Sequence, residues 1–202
     1  LSELFEFVGY DFQADYGERW VRWTPERADR EPELSEAVEA FESINNAAGR
    51  HCADWLRYES LRNHPSTVTH LLVVNGEVHG YFALCSGHAR LSQRDRERAI
   101  GDERAHEFTP VQPVAHVAWL AKRRHTHVSG LEIMARAIGV ALEVIDTGQG
   151  QIALSLNAFD ARTAKMWRDR YGFRRSQPLD GRVNLWRGLF DEPDVEEPGG
   201  DE

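Results

Sequence analysis

The sequence predicts an α/β (α+β) protein with a mixed central β-sheet flanked by helices, on three observations. Residues 67–74 and 77–85 are β-rich runs joined by Asn75-Gly76, a dipeptide favoured in two-residue hairpin turns. Residues 114–121 read as a strand that passes through a basic loop into an apolar-faced helix over 130–146. Beyond it, a strand over 151–156, a helix over 161–170 and a strand over 182–186 continue the alternation, which calls for helices packed on a sheet.

Taken in order, Phe5-Glu6-Phe7-Val8 suits an early strand, and the aromatic-rich stretch up to Trp23 has no clear period. Leu34, Ala37, Val38, Phe41 and Ile44 recur at helical spacing and predict an amphipathic helix over 33–44. A second helix is expected over 51–62, with Cys52, Trp55, Leu56 and Leu61 facing inward. Residues 91–102 are polar and arginine-rich and suggest an exposed helix or loop ahead of Pro110 and Pro113. In the helix over 130–146, Leu131, Met134, Ala135, Ile138, Leu142 and Ile145 define the expected apolar side.

At 202 residues, with 41% hydrophobic and 28% charged content, the chain suits a soluble globular domain with a substantial core. No apolar run approaches the ~20 residues of a membrane span. The first residues, from Leu1, form no basic and apolar leader, so the expected location is the cytoplasm. Cys52 and Cys85 lack metal-type spacing and read as buried thiols. The net charge of −9 is unevenly spread. Residues 1–45 hold 12 acids and 4 arginines, and residues 191–202 hold 7 acids and no base. Residues 46–190 hold 14 acids and 20 bases, a net +6. A basic middle suits a polyanionic ligand such as a nucleotide or RNA, and equally a solvated mixed-charge surface. The expected organisation is an acidic N-terminal extension, 1–44, packed on the core, a domain over 45–190, and a disordered acidic tail, 191–202.

The functional reading starts at the loop Lys122-Arg123-Arg124-His125-Thr126-His127-Val128-Ser129-Gly130. Backbone amides at the start of the helix that follows, backed by its dipole, suit a phosphate. Further on, Leu154-Ser155-Leu156 leads to Asp160-Ala161-Arg162 and, at the helix end, to Tyr171-Gly172-Phe173. This segment resembles the last motif of the GNAT (Gcn5-related) N-acetyltransferases, and Leu120-Ala121 through Leu131 aligns with that family's acetyl-CoA strand and pyrophosphate loop. Over roughly 45–175, the strings from Cys52 to Arg57 and from Val78 to Leu84, with Pro113 and Leu120-Ala121, resemble the GNAT toxins of bacterial toxin–antitoxin modules.

The resemblance implies a GNAT fold, acetyl-CoA as cofactor and an amine acceptor, either a small amine or the amine of aminoacyl-tRNA. It also implies a ribbon-helix-helix antitoxin as partner and leaves a homodimer open. The implied cofactor residues are Trp119, Leu120, Ala121, Arg124, His125, Val128, Ser129, Gly130, Leu131 and Asp160. Arg168 and Tyr171 fall near the sulfur, and Arg162, Arg174 and Arg175 suit an RNA backbone. Two departures stand out. The family loop Gln/Arg-x-x-Gly-x-Gly/Ala here holds His125, Val128 and Gly130, so a β-branched residue replaces a glycine. Arg168 stands where many GNATs have a tyrosine that reprotonates the thiolate, and arginine is a poor general acid. Tyr171 suits either catalysis or closure of its helix against the sheet. His116, His125 and His127 are candidate bases, and Glu132 favours the helix dipole. The two functions to separate are an acetyl-CoA-dependent N-acetyltransferase and a catalytically inactive GNAT-fold binding or regulatory module.

Overall fold

The computed structural model describes residues 18–100, 106–146, 151–178 and 184–189. Seven strands form one sheet: β1 (Glu18–Trp23), β2 (Thr67–Val74), β3 (Glu77–Arg90), β4 (Val111–Lys122), β5 (Ala153–Leu156), β6 (Arg174–Arg175) and β7 (Leu185–Gly188). Their order is β1-β2-β3-β4-β5-β7-β6. The described helices are α1 (Pro25–Arg30), α2 (Pro32–Glu39), α3 (Ala47–Tyr58), α4 (Gln93–Ile100), α5 (Gly130–Asp146) and α6 (Ala161–Tyr171). The architecture is therefore the predicted mixed sheet with flanking helices. The chain divides into two compact units, 1–87 with 115–150 and 88–114 with 151–202.

In the first unit, the hairpin turns at Asn75 (φ 50°) and Gly76 (φ 84°), the two positive φ values that a type I′ turn requires. Antiparallel pairing then runs from Val74↔Glu77 to Thr67↔Cys85, with a bulge between Leu72 and Val73. The ambiguous aromatic stretch is in part the edge strand β1, paired from Glu18↔Val74 to Trp23↔Thr69. Val21, Trp23, Leu34, Val38 and Phe41 join Trp55, Leu56, Leu71, Val73 and Tyr81 in one buried cluster. Residues 18–44 thus supply a strand, two helices and part of the core of this unit. The expected strand over 5–8 and the acidic tail lie outside the described residues.

In this unit three helices differ from expectation, and the one predicted over 51–62 runs over Ala47–Tyr58, so Leu61 lies beyond its end. The helix predicted over 33–44 ends at Glu39, because Ser43 leaves the helical path for an antiparallel bridge with Arg123. Phe41 is buried all the same, whereas Ile44 is 47% exposed. The next helix is capped by Asn46, whose side chain accepts the Gly49 N–H at 2.7 Å. Gly49 cannot be enlarged, since a Cβ there would lie 2.0 Å from the Ile44 carbonyl oxygen. In α5 the buried face is Ile133, Met134, Ala137, Val140 and Ala141, and Leu131 is 49% exposed. Apolar residues occur nearly all round this helix, so periodicity alone leaves its inward face open. The side chain of Ile145 lies outside the described residues.

The second unit has its own small core of Ala89, Leu91, Ala99, Val114, Ile152, Ala153 and Trp186. The expected exposed stretch over 91–102 is thus half wrong: α4 is helical, but Leu91 and Ala99 are buried. Ser92 and Asp95 hold its start reciprocally, Ser92 Oγ donating to Asp95 Oδ2 at 2.6 Å and the Asp95 N–H to Ser92 Oγ at 3.2 Å. β5 and the short β6 both pair antiparallel with β7. Asp160 caps α6, and the helix ends at Gly172 in the left-handed region (φ 66°).

Candidate functional site

The residues implied for a cofactor lie mostly on one passage of the first unit, from the end of β4 through the basic loop to the start of α5. Trp119 is half-buried, and its indole stacks on Trp55 with ring centres 4.9 Å apart and planes 15° apart. His51 lies against the same indole at 4.9 Å. Ala121 is buried in the core of the unit, and Leu120 is partly buried. From there the loop is tied down by non-local contacts. The Arg123 N–H donates to His79 O at 2.8 Å, the Arg124 N–H to Glu42 O at 2.9 Å, and Ser43 Oγ to Lys122 O at 3.0 Å. His125 then takes a positive φ of 61°, unusual for a residue with a Cβ.

Side chains of the loop are engaged as well. Arg123 pairs with Glu77 at 2.9 Å, and His127 Nε2 lies 3.1 Å from Glu18. His79 Nδ1 is 2.9 Å from Thr126 Oγ1, and that hydroxyl accepts the Val128 N–H at 3.1 Å. Burial, with Arg123 and His127 nearby, pushes the His79 pKa below the usual histidine range. Its Nδ1 thus shares a hydrogen bond with the Thr126 hydroxyl, with a direction that the ring's tautomer sets, and its Nε2 lies 3.7 Å from Glu77 Oε2. Arg124 and His125 have exposed side chains.

Val128, the residue in place of the family glycine, is only 3% exposed. Its side chain is an anchor of the loop. Immediately after it, Ser129 and Glu132 form a capping box. The Ser129 N–H donates to Glu132 Oε2 at 2.5 Å, and the Glu132 N–H donates to Ser129 Oγ at 3.1 Å. Amides at 128, 129 and 132 are thus satisfied by the chain's own side chains. Gly130 and Leu131 then open the first turn of α5, where backbone N–H groups have no intrahelical partner. The spacing Ser-x-x-Glu is a capping signal that can be read from the sequence alone. The His79–Thr126 and Glu18–His127 pairs join residues 47 and 109 apart in sequence, and no local pattern announces them.

The remaining predicted residues belong to the second unit. Asp160 accepts the Thr163 N–H at 2.7 Å as the N-cap of α6, and this bond holds its carboxyl below the usual range. Arg162, Arg168 and Arg175 are exposed, and Arg174 lies over the Trp186 ring at 5.8 Å. Tyr171 packs its ring 4.7 Å from Trp167, and burial raises its pKa. Its carbonyl also accepts from Arg187 at 3.2 Å. These contacts fit Tyr171 as a residue that closes the helix end. His116 is partly buried on β4, and burial lowers its pKa, so it is neutral near pH 7. Among the described residues no three His, Cys, Asp or Glu side chains converge on a metal site, and no helix is long and apolar enough to cross a membrane.

No protein-family model and no curated protein matches the chain. Solved structures do. A Tyr-to-Phe variant of the toxin AtaT, bound to the C-terminus of the antitoxin AtaR and acetyl-CoA, is similar over 85% of this chain and 93% of its own. It has a TM-score of 0.57 at 15% identity. AtaT complexed with acetyl-methionyl-tRNAfMet has a TM-score of 0.56 at 16% identity, over 73% of this chain and 85% of its own. A Tyr-to-Phe variant of KacT has a TM-score of 0.56 at 15% identity, over 75% and 87%. The fold is the GNAT fold. At this identity the likeness establishes architecture, and chemistry has to be argued from the residues.

Proposed function

We propose that this protein is an acetyl-CoA-dependent N-acetyltransferase of the GNAT toxin kind, acting on the amine of an aminoacyl-tRNA. The observation that supports this reading most is the likeness to an acetyl-CoA complex of AtaT over 85% of this chain. Acetyl-CoA supplies an acetyl thioester. Backbone groups of Trp119, Leu120 and Ala121 would pair with its pantetheine arm. Arg124, His125, Ser129, Gly130 and Leu131 would meet its pyrophosphate, with Val128 holding the loop in shape. Asp160 would serve by fixing the start of α6. Arg168 would stabilise the departing thiolate by charge, the thiolate taking its proton from solvent, because a guanidinium gives up no proton near neutral pH. An amine that enters uncharged needs only modest base assistance, which neutral His116 suits. Arg162, Arg174 and Arg175 would bind the RNA backbone. A ribbon-helix-helix antitoxin, a homodimeric assembly and a cytoplasmic location belong to the same reading.

A second reading is favoured by a specific observation. The capping box and the Thr126 hydroxyl already use loop amides that a pyrophosphate needs. Together with Arg168, this suits a GNAT-fold binding or regulatory module without acetyltransfer. Calorimetric titration with acetyl-CoA, followed by thiol release on aminoacyl-tRNA and a panel of amines, separates the two. Saturable binding with thiol release supports the enzyme. Absence of binding at millimolar acetyl-CoA supports the module.

A further inference from the structure

We propose that Glu132 sets the anion affinity of the loop by occupying, with its own carboxylate, the place of a ligand phosphate oxygen. The inference rests on the acetyl-CoA reading for its natural ligand, but its physical content is independent of acetyltransfer. The Ser129 N–H donates to Glu132 Oε2 at 2.5 Å, and both residues are exposed, so the carboxylate can leave for solvent without opening a core. A negative charge at the start of α5 is stabilised by the helix dipole, the same field that a phosphate uses. An incoming pyrophosphate must displace this carboxylate from Ser129 and then tolerate it as a neighbouring like charge. Arg123 of the loop is also engaged, with Glu77, and His127 lies against Glu18. The loop's other cations, Lys122 and Arg124, then have to hold the phosphates against that repulsion. Glu132 is therefore a residue that weakens cofactor binding, and a purely structural cap would not have that effect.

Two substitutions divide charge from hydrogen bonding. Glu132→Gln keeps an acceptor oxygen for the Ser129 amide and removes the charge. Glu132→Ala removes both and frees the amide. Binding of acetyl-CoA and of inorganic pyrophosphate to the full chain is measured by calorimetry at low and high salt, with Glu143→Gln, near the far end of α5, as control. The expected result is tighter binding of both probes: a few-fold for Glu132→Gln and at least about tenfold for Glu132→Ala. The gain of Glu132→Gln should shrink at high salt, and the control should be unchanged. Thermal melting of each variant confirms that the chain is folded and reports the loss of the cap separately. Unchanged or weaker binding in both variants overturns the inference and, if wild type still binds acetyl-CoA, leaves the enzyme reading standing. Tighter pyrophosphate binding with no acetyl-CoA binding in any variant supports the role of Glu132 and overturns the enzyme reading. Absence of binding of both probes to every variant overturns both.

Discussion

Two strand-to-helix passages, β4 to α5 and β5 to α6, begin their helices differently. At α6 a single side chain, Asp160, accepts one amide, and the signal is local in sequence. At α5 the cap is reciprocal, between Ser129 and Glu132. The loop before it is also held by His79, Glu42, Ser43, Glu77 and Glu18. One passage takes its shape from its own residues and the other from partners far away in the chain. Resemblance to the family motif is accordingly stronger at the locally determined passage, 160–173. It is weaker at the loop, which tertiary contacts hold in place.

The largest effect that would sharpen this contrast is acid sensitivity confined to the first unit. His70, half-buried and stacked on Phe82 at 4.9 Å, has its pKa lowered to about 4 by burial, with Arg136 and Arg22 adding to it. His79 and His116, in the same unit, are lowered too. The folded form thus binds fewer protons than the unfolded chain below the ordinary histidine range. Stability present above about pH 6.5 should fall as the pH drops towards 4, by about 3 kcal/mol from His70. Urea unfolding across this range checks it, and His70→Phe should flatten the profile. Hydrogen exchange should find the loss in 18–87 and 115–146; an equal loss in the second unit would break the contrast.

Next comes the loop anchor. Val128→Gly removes a buried side chain and loosens the backbone, at about 2–3 kcal/mol in denaturant unfolding. Were Val128 dispensable, the loop would be as locally determined as its counterpart. At α6 the matching test is Gly172→Ala, which forces a Cβ into the left-handed region and should cost about 1 kcal/mol. Ser129→Ala should cost about 1 kcal/mol through loss of the α5 cap. The smallest effect is that of Asp160→Asn. Asp160 has a lowered pKa, so its contribution is present above the ordinary carboxyl range and disappears as pH falls through the folded value. Asn, itself a good cap, should leave the melting temperature at pH 7 nearly unchanged and remove a small acid-side slope.

Local signals made much of this fold legible. Asn75-Gly76 forced the hairpin, Asp160 and Gly172 bounded α6, and the apolar run over 114–121 gave β4, which extends to Val111–Lys122. Where the sequence misled, a distant partner was responsible. Ser43 abandons the helical period to bridge Arg123, and α5, apolar almost all round, turns Ile133 inward and Leu131 outward. The two-residue β6 is too short to show any period, and α1 had no apolar stripe to read, since none of its residues is buried. At the candidate site the residue types were visible, but the engagement of the loop's charges was not. That engagement depends on Glu18, Glu77 and His79, which reach the loop only through the sheet.

The indole pair Trp55–Trp119 has a consequence of a different kind. Two parallel chromophores 4.9 Å apart couple as an exciton, and one of them stands on the strand that runs directly into the loop. A ligand that shifts that strand changes the coupling, so the protein has an optical gauge of its own loop, readable by far-ultraviolet circular dichroism without a label.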